Sequence, residues 1–75
     1  MIEENLINIL ADFLGVDTDD LDYNTNIYNE FNLTEEDICE IICILDDEFE
    51  IEINKDDFED ISTIRELSEL IEDLI

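Results

Sequence analysis

Apolar residues at Ile2, Leu6, Ile9, Leu10, Phe13 and Leu14 fall at the three-and-four spacing that places them on one face of a helix. Gly15 follows, suited to the left-handed cap that ends such a helix. A first helix is therefore predicted over 2–14. From Val16 to Leu33 the periodicity fails, and Asp17, Asp19, Asp20, Asp22, Asn24 and Asn26 supply side chains that bond to nearby backbone and favour turns. Val16, Leu21, Ile27, Phe31 and Leu33 interrupt this polar stretch, which predicts a long ordered loop pinned to a core by those side chains.

Thr34-Glu35-Glu36-Asp37 nearly matches a capping box, with acids filling the positive first turn of a helix. Behind it Ile38, Ile41, Ile42, Leu45 and Phe49 form an apolar stripe, so a second helix should run from this cap to about Phe49 with that stripe inward. Glu50-Ile51-Glu52-Ile53-Asn54 alternates for too few residues to build a sheet and reads as a connector. Asp56 to Asp60 predicts a short helical turn around Phe58. Thr63 with Glu66 is a second capping box, opening a last helix that turns Ile64, Leu67, Leu70, Ile71 and Leu74 inward. The pattern predicts an all-α domain of three longer helices and one short one, with a long loop between the first two.

A length of 75 residues allows one domain, 1–75, with a single modest core. The formal net charge is −23, with Lys55 and Arg65 the only basic residues. Such a charge favours disorder, but 45% hydrophobic content at ordered spacings predicts a folded domain. The absence of Pro and the single Gly favour helices over the turn-rich all-β class. A chain this acidic is repelled by polyanions, which excludes binding nucleic acid through phosphate neutralisation and argues against docking on anionic membranes. Met1-Ile2-Glu3-Glu4 lacks a basic segment followed by an apolar run, and no stretch approaches a membrane span, so a cytoplasmic monomer is expected.

Cys39 and Cys43 lie four residues apart on one helix, a spacing that disfavours a strain-free disulfide and fits a reducing compartment. Zinc wants four ligands, and the chain has no His and no further Cys to complete them. Nothing basic in the neighbouring sequence favours a nucleophilic thiolate. Asp20, Asp22 and Asn24 occupy positions 1, 3 and 5 of a calcium-loop pattern, but Thr25 stands where Gly is needed. Glu30 falls one residue short of the closing position, which Phe31 holds. An acid-rich loop of turn-forming residues explains the segment, and no dedicated metal site is expected. With no phosphate-cradling Gly loop and no nucleophile beside its base, the chain is not expected to be an enzyme.

Leu14-Gly15-Val16, Leu45-Asp46-Asp47-Glu48-Phe49, Glu52-Ile53 and Ile61-Ser62-Thr63-Ile64 together resemble the acyl carrier protein family along nearly the whole chain. The resemblance implies a bundle of three longer helices and one short helix, and partner enzymes that grip the second helix. It also implies an Asp-Ser-Leu motif at the start of that helix, whose Ser takes a 4′-phosphopantetheine arm in fatty acid or polyketide biosynthesis. Counting back from Phe49, that triplet falls on Thr34-Glu35-Glu36, so Glu35 stands in place of the Ser. No attached cofactor is expected at that position.

The leading reading is thus a non-enzymatic, divergent or repurposed carrier that binds partners through an acidic face of the second helix formed by Glu36, Cys39, Glu40, Cys43 and Asp47. Basic protein surfaces, including those of acyl-transfer or synthase enzymes, are the expected partners. The alternative is a working carrier whose arm sits on an atypical hydroxyl such as Thr34. A further alternative is an acidic mimic of nucleic acid that blocks a basic protein.

Overall fold

The computed structural model describes residues 2–75. Helix α1 spans Ile2–Leu14, and Thr18–Asp20 form a 3₁₀ turn. Then come α2 (Ile27–Glu30), α3 (Glu35–Phe49), α4 (Lys55–Asp60) and α5 (Ile64–Leu74). Among the described residues there is no strand, only an isolated antiparallel bridge between Asn26 and Thr63. The chain is all-α, as its periodicity predicts.

Each long helix has the cap its sequence signals. Gly15 adopts φ 73°, and the N–H groups of Gly15 and Val16 both donate to the Ala11 carbonyl. At the start of α3 the Thr34 hydroxyl accepts from the Asp37 N–H at 3.1 Å while Asp37 Oδ2 accepts from the Thr34 N–H at 3.0 Å. Thr63 and Glu66 repeat this reciprocal arrangement at α5. The α3 C-terminus carries a cap that the sequence did not signal, because Glu50 takes the left-handed conformation at φ 55°, a region usually left to Gly or Asn.

The long segment after α1 is more regular than its composition suggests. Asn26 caps the one-turn helix α2 by accepting from the N–H groups of Tyr28 and Asn29. The element is too short for an apolar period to register, so the described residues hold two short α-helices rather than the one expected. The segment is pinned as expected by Leu21 and Ile27, which are buried, while Val16, Phe31 and Leu33 are half-buried. It also supplies acceptors to α5. Ile64 N–H donates to the Thr25 carbonyl at 3.2 Å and Arg65 N–H to the Tyr23 carbonyl at 3.0 Å, so donors that a helix start leaves unpaired find partners in the loop.

Leu6, Leu10, Ile27, Ile41, Leu45, Phe58, Ile64, Leu67 and Ile71 are almost wholly buried and form the core. Helix α1 packs chiefly against α5, and α3 against α4 and α1. Four expectations about inward faces need correction. Ile42 and Leu70 are only half-buried, and Leu74 is 41% exposed. Ile42 lies on the flank of the α3 stripe, and Leu74 is the final residue of α5. Phe49 is likewise half-buried at the end of α3.

Candidate functional site

The candidate site is the outward face of α3. Its first residue, Glu35, projects a side chain that is 81% exposed, and its Oε2 lies 3.2 Å from Lys55 Nζ at the start of α4. This is the single side-chain ion pair among the described residues, and it ties the N-termini of two helices together. The hydrogen bond and charge of Glu35 raise the Lys55 pKa above its ordinary value, with Glu59 and Cys39 adding smaller contributions. Thr34, one residue earlier, has its hydroxyl oxygen engaged as the α3 cap.

Following Glu35 along the helix, the structure brings Glu36, Cys39, Glu40, Cys43 and Asp47 together on one exposed face, opposite the buried Ile38, Ile41 and Leu45. Helical geometry at about 100° per residue produces this directly. Both cysteines are free and exposed. Between the acids lies a shallow apolar groove of about 280 Å³ lined by Cys39, Glu40, Cys43 and Ile44. Ile44 was missed by the sequence reading. It is 38% exposed, and its place four residues after Glu40 is the signal that sets it beside the acidic face rather than in the core.

The second basic residue lies on α5. The Arg65 guanidinium lies over the Tyr23 ring, 5.4 Å from its centroid, in a polar hollow shared with Glu3, Ser68, Glu69 and Glu72. With Lys55 held by Glu35, the α3 face is left strongly acidic around an apolar strip. In the loop, Asp22 Oδ1 accepts from the Asn24 N–H at 2.8 Å and from the Thr25 hydroxyl at 3.3 Å, the local bonding of a turn. Among the described residues no group of three or more His, Cys, Asp or Glu gathers in a geometry that could hold a metal ion. Among the described residues no helix is long and apolar enough to cross a membrane.

The capped helices, the pinned loop and the exposed acidic α3 define a carrier-type bundle. Residues 4–71 match the family model described as "Phosphopantetheine attachment site". The acyl carrier protein of Lactobacillus acidophilus is 38% identical over 68 residues, covering 85% of each chain. That of Chlamydia felis is 30% identical over 63 residues, covering 84% of this chain and 81% of the relative. That of Chlamydia trachomatis is 28% identical over 72 residues, covering 96% of this chain and 94% of its own. The chain belongs to the acyl carrier protein family.

Proposed function

We propose that this chain is an acyl-carrier fold working as a protein-docking module, with no phosphopantetheine at position 35, where counting back from Phe49 puts the family's attachment serine. The observation that carries the reading is Glu35. It occupies the first turn of α3, where counting from Phe49 puts the family's serine, and its carboxylate pairs with Lys55. A stable phosphodiester needs an alcohol oxygen. A carboxylate there offers at best a mixed anhydride with phosphate, which water cleaves, so the residue present does not fit the arm. Thr34 is an alcohol, but its oxygen caps α3, and esterifying it would disturb a contact typically worth about 1 kcal/mol.

What remains is recognition. Glu36, Glu40 and Asp47 surround Cys39 and Cys43 on a face that complements Arg and Lys on a partner, including the surfaces of synthase or acyl-transfer enzymes. Charge complementarity of this kind raises association rates and sets specificity. The module acts by binding, without catalysis of its own, and in the cytoplasm, where the free thiols stay reduced.

The test is intact mass after co-expression with a phosphopantetheinyl transferase. Wild type is expected at its unmodified mass, while Glu35→Ser, with Glu36→Leu if needed, is expected to gain one phosphopantetheine. An adduct on wild type mapped to Thr34 would make the protein a working carrier. Failure of both serine variants to be modified while folded would remove position 35 from the role assigned to it.

A further inference from the structure

The apolar groove on α3 has two sulfurs in its lining, and acidic docking does not use their chemistry. Cys39 and Cys43 stand one helical turn apart, free and exposed, beside Ile44. Helical residues at this spacing have Cβ atoms about 5–6 Å apart, whereas a disulfide wants about 3.5–4.5 Å. The helix therefore holds the pair too far apart to close on each other, yet two sulfurs swinging from those Cβ atoms can meet at one atom placed between them. Zinc does not answer to this arrangement, since it takes four ligands and no third donor gathers here among the described residues. The arrangement suits a soft centre that needs two sulfurs and brings its remaining ligand with it.

We propose that Cys39 and Cys43 form a dithiol site for a trivalent organoarsenic group, bridged across one turn of α3, with the organic substituent lying in the groove against Ile44. Three features of the site converge on this class. The donor set is two thiols and no more. The groove, about 280 Å³ and apolar, has room for an aromatic ring. Glu36, Glu40 and Asp47 repel anionic thiol reagents but leave a neutral arsenical free to approach. The step is a condensation without oxidation: two S–H bonds and the arsenic–oxygen linkage of an arsine oxide break, two As–S bonds form, and the oxygen leaves as water with both thiol protons. Arsenic stays trivalent. The site depends on α3 alone and is independent of whether that face docks a partner.

The test uses phenylarsine oxide with the folded, reduced protein, read by non-denaturing intact mass before and after gel filtration in excess monothiol. One arsenic per chain is expected, added with loss of one water and with both thiols protected from maleimide. Cys39→Ser and Cys43→Ser retain only a single As–S bond and should lose the label on the order of 100-fold faster, because the second bond of the chelate is intramolecular. Circular dichroism checks that both variants stay folded, as expected for exposed positions. Loss of the label from wild type as fast as from either variant would overturn the proposal. So would an arsenic shared between two chains.

Discussion

Glu66 shows at a single residue how a capping contact becomes pH-dependent. Its Oε1 accepts from the N–H groups of Ser62 and Thr63, at 3.0 and 3.1 Å. Those backbone donors, Thr63 first, favour the carboxylate and hold its pKa below the ordinary glutamate value. A carboxyl lowered in the folded state adds stability above its unfolded pKa of about 4.3, and that contribution disappears as pH falls through the folded value. Glu66→Gln should therefore melt below wild type at pH 6, with the gap narrowing by pH 3. Thermal melts of both proteins at the two pH values measure this, and an unchanged gap would show that the cap acts without its charge.

At the scale of the element, α3 separates stability from recognition by angle around one helix. Ile41 is 1% exposed in the core, while Glu40, its neighbour in sequence, points outward. Ile41→Ala should cost about 2–5 kcal/mol and threaten folding of so small a domain. Ile42→Ala, from its half-buried flank, should cost on the order of 1–2 kcal/mol. Glu40→Lys should change stability by less than about 0.5 kcal/mol and still weaken capture of basic partners. Denaturant melts rank the three, and a pull-down at low salt compares wild type with Glu40→Lys. Identical partners for both folded proteins would leave the acids of this face as solvation only.

Across the whole molecule the dominant quantity is charge. A net −23 is confined to a body of 27 × 26 × 18 Å, so few carboxylates lie far from another. At about 10 Å, the Debye length in 0.1 M salt is well below those dimensions, and added salt screens repulsion across the molecule. The melting temperature should rise as sodium chloride increases from low salt to 0.1 M and beyond. For a domain of this size each 1 kcal/mol of relieved repulsion corresponds to about 4–8 °C. The Glu35–Lys55 attraction weakens under the same screening, but it is one exposed pair against many repulsive ones. A melting temperature that stays flat with salt would mean that the acids are spaced widely enough not to strain the fold.

The sequence by itself determined what depends on neighbours along the chain. Helices α1, α3 and α5, both Thr capping boxes and the Gly15 cap follow from spacings of three and four residues, because helical hydrogen bonds and faces repeat over that distance. The outward grouping of Glu36, Cys39, Glu40, Cys43 and Asp47 was legible for the same reason. Only the tertiary structure decided what depends on residues distant in sequence. The Lys55 side chain meets Glu35 across 20 positions, the Tyr28 hydroxyl donates to the Phe58 carbonyl across 30, and Arg65 covers Tyr23. The half-burial of Ile42 and the exposure of Leu74 were likewise set by which neighbouring surfaces the folded chain brings against them. Local periodicity gives a direction around a helix, whereas burial requires a second surface to meet it, and the position of that surface is fixed only when the chain closes on itself.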